Sequence, residues 1–277
     1  MTPAEYCQEK AAQSGSSFYY SFLFLPKPRR EAITALYAFC REVDDIADEC
    51  ADASVARTKL EWWRTELAKT FAGQPSHPVS QALLPAIRAY DLAQEQFEEI
   101  IDGMEMDLQY VRYADFKALQ LYCYRVASVV GQLAAAIFGY SDRKTLKYAH
   151  DLGMAFQLTN IIRDVGEDAR RNRIYLPQDE LAQFGVTENE LLQGITSEGF
   201  RALMAHQVAR ARAFYQQALQ ALPLQDRKSQ RPGLVMAAIY QKLLNEIERD
   251  DFRVLHQRIT LTPLRKLWIA WRTWVFS

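Results

Sequence analysis

A chain of 277 residues that is 49% hydrophobic can bury a sizeable core, as one long domain or two small ones. Its 33 basic and 34 acidic residues leave a formal charge of −1, which excludes a global attraction to nucleic acid or to an anionic membrane. Cys7, Cys40, Cys50 and Cys123 form no C-x-x-C pair, and His77, His150, His206 and His256 show no zinc spacing. Reduced thiols of a cytosolic protein are therefore expected, not disulfides or a zinc centre.

The amino terminus, Met1-Thr2-Pro3-Ala4-Glu5, has no basic segment leading into an apolar one and does not read as a signal peptide. No apolar run is expected to reach the roughly 18 residues of a membrane span. Eleven glycines and ten prolines are few and fall mostly between periodic segments, the pattern of long helices joined by short loops. In chain order, helices are expected over about Arg29–Glu49, behind Pro26 and Pro28, then Ser54–Phe71, Pro78–Asp91 and Gln94–Met106. One long helix over Asp115–Phe138 should stop at Gly139. Further helices cover Ser141 to about Val165, Ser197–Leu222 and Pro232–His256. Strand-like alternation is hard to find, and no repeat or linker divides the chain. The expected architecture is one all-α domain over residues 1–277, a bundle around a central cavity.

Two helices carry acidic stripes. Tyr37, Arg41, Asp44, Asp45 and Asp48 follow at spacings of three, four or one, among Ile33, Leu36, Phe39, Val43 and Ile46. Alone, such a stripe is as well explained by a solvated helix face, with Arg41 a plain partner of Asp44. Gln157, Asn160, Asp164 and Asp168 form the second stripe, in a segment apolar on most other sides, where ionised carboxylates need partners. Carboxylates four residues apart stack on one helix face. Two such stripes facing each other would repel unless a cation lay between them. Magnesium suits that place, because it prefers oxygen ligands and bridges carboxylates to phosphates. A diphosphate substrate follows from this. Arg170, Arg171 and Arg173, just beyond the second stripe, are either a flap that grips phosphate oxygens or a solvated loop.

Three segments resemble the squalene and phytoene synthases, the head-to-head prenyl synthase family. They are Ser16-Ser17-Phe18-Tyr19-Tyr20-Ser21-Phe22, Tyr37 through Asp48, and Gln157 through Asp168 with Arg173-Ile174-Tyr175-Leu176-Pro177. Asp102 to Asp107 and Tyr122 to Gly131 support them, so the likeness runs from about Ser14 to the carboxyl end. It implies an isoprenoid synthase fold. It also implies Mg²⁺ held at Asp44, Asp48, Asn160, Asp164 and Asp168, and two farnesyl diphosphates. Ser17, Tyr37, Arg41, Gln157, Arg163, Arg173 and Tyr240 would bind substrate. Tyr124 matches a family tyrosine near the reacting carbons, although by itself it would read as an ordinary buried tyrosine. Val126, Val129, Ala134, Ala135 and Ile137 would wall a dry chamber.

The implied reaction is condensation to presqualene diphosphate, and within the family the chain most resembles the hopanoid-pathway enzymes that make it. A phytoene or dehydrosqualene synthase and an NADPH-dependent squalene synthase are the neighbouring readings. A non-catalytic helical interaction protein is the reading from another class, disfavoured because unliganded interior acidic stripes are destabilising. Leu264 to Ser277 mixes tryptophans with Arg265, Lys266 and Arg272. It would either lie on a membrane surface, at the inner face of the cytoplasm's boundary, or pack on the bundle.

Overall fold

The computed structural model describes residues 1–13, 21–22, 24–50 and 52–276. It is 78% helical, and among the described residues the strand-like pairing is one isolated parallel bridge between Arg112 and Ile174. The expected all-α bundle is the observed architecture. The principal helices are α1 (Pro3–Gln13), α2 (Lys27–Glu49), α3 (Ala53–Phe71), α4 (Pro78–Tyr90) and α5 (Gln94–Gln109). They continue as α6 (Phe116–Phe138), α7 (Lys144–Arg170), α8 (Glu198–Ala221), α9 (Arg231–Arg249) and α10 (Pro263–Phe276). Helix starts follow local chemistry. Asp52 caps α3 through Ser54 and Val55, Asp115 caps α6 through Ala118, and Ser197 caps α8 through Phe200.

Helix α7 is the axis. It packs along α8 on one side and against α6 on the other. At the α6 crossing, a Cβ on Gly153 would meet the Ala127 carbonyl oxygen at 2.6 Å, so only glycine lets the two backbones come this close. Two apolar clusters result. One is built on α7, α8 and α9, the other on α2 to α5 with the end of α6, and the central cavity lies between them.

The structure differs from expectation in three places. Helix α7 runs on to Arg170, five residues past the expected end, so Asp168 stays in helical phase with Asp164. Gly166 does not end it. A Cβ there would lie 2.4 Å from the Leu255 carbonyl oxygen, so this glycine admits the 253–258 segment against the helix. Helix α6 contains a π-helical turn, Tyr124–Ser128, which alters the register of the side chains after it. The segment Phe116–Phe138 is also long and apolar enough to cross a membrane, with mean hydropathy 1.4, contrary to the expectation of no such run; half of it is buried in the bundle.

The carboxyl end packs on the bundle along one face and is exposed along another. Ala270 of α10 is fully buried and the Trp274 ring packs on Phe24 at 5.2 Å. Leu264, Trp268, Trp271 and Val275, one stripe at spacings of four, three and four, are each at least 50% exposed.

Candidate active site

The cavity is about 690 Å³ and has a polar end and an apolar end. Helix α7 supplies its long wall, from Tyr148 and Leu152 through Phe156 to Asp164 and Asp168. At 1.5 Å per residue, Tyr148 and Asp168 lie roughly 30 Å apart along the axis. Leu36, Cys40, Asp44 and Asp48 of α2 form the facing wall, with their carboxylates at the same end as those of α7. Two helices therefore bring their acidic ends together above an apolar tunnel. Phe22 and Phe138, with ring centroids 6.2 Å apart, sit on the wall at the other end.

Of the residues expected from sequence, Tyr37, Arg41, Asp44, Asp48, Gln157, Asn160, Arg163, Asp164, Asp168, Arg173 and Tyr240 all line this one cavity. Ser17 lies outside the described residues. Tyr124 is a correction. It does not line the cavity, and its ring packs 5.9 Å from His150. Tyr122, two residues earlier, is the tyrosine on the wall, since residues two apart on a helix face different ways. Val126, Ala134 and Ala135 wall the chamber as expected, whereas Val129 and Ile137 are fully buried in the neighbouring apolar cluster.

The carboxylates are heavily paired. Arg41 donates to Asp44 at 2.6 Å and to Asp45, and Lys10 reaches Asp45 at 2.9 Å. Asp45 is thus turned toward α1, leaving Asp44 and Asp48 for the cavity. Arg173 donates to Asp48 at 2.6 Å and to the Ala47 carbonyl at 2.9 Å, and Arg171 reaches Asp48 at 3.1 Å. These bonds tie the segment after the second stripe to the first stripe. Arg163 grips Asp164, and Arg258 lies 3.1 Å from Asp164 and 3.6 Å from Glu167.

Asp168 has no such cation partner among the described residues. Burial, then the charges of Asp164 and Asp107, push its carboxyl up to about 8. Burial likewise lifts Asp44 to about 6, against the pull of Arg41. Among the described residues, six acidic and six basic side chains line the cavity, so the charges balance in number, and it is Asp168 that is left without a cation against it.

Among the described residues, no three His, Cys, Asp or Glu side chains are gathered tightly enough to hold a metal ion by themselves. The donor set nevertheless suits a hard cation that takes its remaining ligands from water and phosphate. Asn160 Oδ1 is buried without a hydrogen-bond partner, one turn from Asp164, and Asp168 is an underneutralised carboxylate. Both are oxygens in want of a positive charge.

Sequence reasoning missed several wall residues. Arg258 and Lys266 enter from segments after α9, where no periodicity points at the cavity. Asp107 was noticed only within a supporting segment. It is 7% exposed and accepts hydrogen bonds from the hydroxyls of Tyr122 and Tyr175, each at 2.8 Å.

Comparison with known proteins agrees with this geometry. The sequence pattern of the squalene/phytoene synthase family matches residues 11–265. A phytoene synthase of Arthrospira platensis is 38% identical over 276 residues, covering 95% of this chain and 89% of the relative. A 15-cis-phytoene synthase of Synechococcus elongatus is 36% identical, with the same coverage. Among solved structures, a dehydrosqualene synthase in complex with ligand superposes with a TM-score of 0.87 at 26% identity, covering 99% of this chain and 96% of that one. Squalene synthase HpnC of Alicyclobacillus acidocaldarius gives 0.81 at 29% identity, covering 90% and 94%. An isoprenoid synthase bundle is thus matched by shape, and the chain by family pattern and sequence: the chain belongs to the squalene/phytoene synthase family.

Proposed function

We propose that this protein joins two prenyl diphosphates head to head, forming a cyclopropylcarbinyl diphosphate and releasing diphosphate and a proton. The observation that carries this reading is the convergence of two acidic helix ends, ringed by arginines, on the mouth of one apolar tunnel. Mg²⁺ bound by Asp44, Asp48, Asn160, Asp164 and Asp168 would supply positive charge to the diphosphate that leaves. Arg163, Arg171, Arg173, Arg258 and Lys266 line the same end, where guanidinium groups grip phosphate oxygens. As the first C–O bond breaks, an allylic cation remains. The double bond of the second substrate attacks its C1, and loss of a proton closes the three-membered ring. Leu152, Phe156, Val130 and Ala134 keep water from the cation. Tyr122, on the wall, takes the role that sequence reasoning gave to Tyr124.

Substrate length divides two readings. The curated relatives described above are named phytoene synthases, which favours geranylgeranyl diphosphate and a forty-carbon product over the farnesyl substrate expected from the motifs. The farnesyl reading, giving presqualene diphosphate, is supported by the likeness in shape to a dehydrosqualene synthase and a squalene synthase, whose named products have thirty carbons. Incubation with each substrate, followed by mass spectrometry, separates them.

Both substrates and products are lipids, and α10 has the character of an interfacial helix. Its exposed stripe of Leu264, Trp268, Trp271 and Val275 sits in a stretch with no acidic residue after Asp251 but with Arg253, Arg258, Arg265, Lys266 and Arg272. Lys266 of the same helix lines the cavity, so docking through α10 would bring the active site to an anionic lipid surface.

A further inference from the structure

Asp107 lies near enough to Asp44 and Asp168 for its charge to raise their carboxyls, but its hydrogen-bond partners are of another kind. Its two oxygens are divided between two phenols: Tyr122 donates to Oδ2 and Tyr175 to Oδ1, each at 2.8 Å. No arginine or lysine pairs with it among the described contacts. All three side chains line the cavity, and the rings of Tyr122 and Tyr175 stack with centroids 5.2 Å apart. Burial first, and then the Asp107 charge, hold both phenols well above their ordinary range, so both stay protonated and act as donors.

A phenol has one proton and two acceptor lone pairs. With each proton committed to Asp107, the remaining face of each hydroxyl oxygen presents lone pairs only. A hydrogen bond to a charged acceptor is about twice as strong as a neutral one, and the low dielectric of a closed chamber strengthens it further. The carboxylate therefore draws the protons toward itself and leaves the two oxygens electron-rich.

Resting on the head-to-head reading, we infer that Asp107 is a positioning residue that fixes Tyr122 and Tyr175 as a pair of hydroxyl-oxygen acceptors for the carbocation. It does not touch substrate. Through the two phenols it determines that oxygen lone pairs, rather than O–H protons, meet the positive charge. A buried aspartate held only for packing would need no such arrangement of both its partners on the cavity wall. Tyr113 marks the contrast. Its ring is tilted against Tyr122 at 5.6 Å and stacked on Tyr175 at 5.8 Å, yet its buried hydroxyl has no hydrogen-bond partner among the described residues and it does not line the cavity.

The test is Asp107→Asn in the full-length protein with Mg²⁺ and prenyl diphosphate. The amide keeps the shape but offers N–H to one phenol, which must then turn its own proton toward the chamber. The expected result is a fall of at least tenfold in kcat, with KM changed less than twofold. Product should shift from the cyclopropane toward alcohols formed by water capture of the cation. Tyr113→Phe should leave both kcat and product unchanged.

The double-mutant cycle is decisive. On a Tyr122→Phe, Tyr175→Phe background, Asp107→Asn should cost almost nothing more, because its effect runs through the absent hydroxyls. If Asp107→Asn does not fold, Tyr175→Phe alone must give part of the same product shift at unchanged KM. Wild-type kcat and product in Asp107→Asn, or full additivity in the cycle, would overturn the inference. A wild-type enzyme that forms no head-to-head product from either farnesyl or geranylgeranyl diphosphate would instead overturn the function on which it rests.

Discussion

Asp168→Asn should stabilise the metal-free protein while destroying its activity. The Asp168 carboxyl rises from 3.8 to about 8, chiefly through burial and then through Asp164 and Asp107. Between those values the native state holds a proton that the unfolded chain has lost, so stability falls as pH rises and the penalty is complete above about pH 8. At about 1.4 kcal/mol per pH unit the ceiling is roughly 5–6 kcal/mol. Water reaching the mouth of the cavity screens part of this, and about half, ~3 kcal/mol, is the working figure. Asparagine keeps the shape and carries no charge. In EDTA at pH 9, Asp168→Asn should therefore melt roughly 5–10 °C above wild type. With Mg²⁺ and a non-hydrolysable prenyl diphosphate analogue the order should reverse, because only the wild type gains the full binding energy. Thermal denaturation by circular dichroism under the two conditions reads both effects. A variant no more stable than wild type at pH 9 without metal would refute the idea that this charge is held against its own electrostatics.

Other predictions follow from the same geometry. Asp44→Ala or Asp164→Ala should give folded protein whose turnover falls by at least a hundredfold at saturating magnesium; near-normal steady-state rates would remove the metal assignment. Tyr122→Phe should lower kcat with little effect on substrate binding, while Tyr124→Phe, which lies off the cavity, should behave as wild type. The reverse pattern would return the role to Tyr124. Ending the chain after Pro263 should abolish flotation with vesicles containing anionic lipid, and high salt should weaken flotation of the full chain. Equal flotation of both chains would rule out α10 as the docking element.

The acidic stripes were legible because carboxylates four residues apart share a helix face whatever the tertiary fold. The full length of the second helix needed the structure. Its expected end was about Val165, yet it runs on to Arg170, and Gly166 within that last stretch lets the backbone at Leu255 come close. The choice between Tyr122 and Tyr124 was not legible either, since both are aromatic and only packing, next to a π-helical turn, decides which one faces the tunnel. Arg258 and Lys266 reach the mouth from a connection and from a terminal helix, where spacing carries no information about contact. The role of Asp107 depends on two tyrosines, one 15 and the other 68 residues away, a coincidence that no local pattern encodes.

The central claim is that the paired acidic helices serve a head-to-head condensation. Its most direct test is to incubate the purified protein and Mg²⁺ with farnesyl or geranylgeranyl diphosphate, with and without NADPH, and to identify products by mass spectrometry. The account predicts presqualene diphosphate or phytoene, made without any added reductant. Head-to-tail elongation products, or substrates recovered intact beside a folded protein, would contradict it.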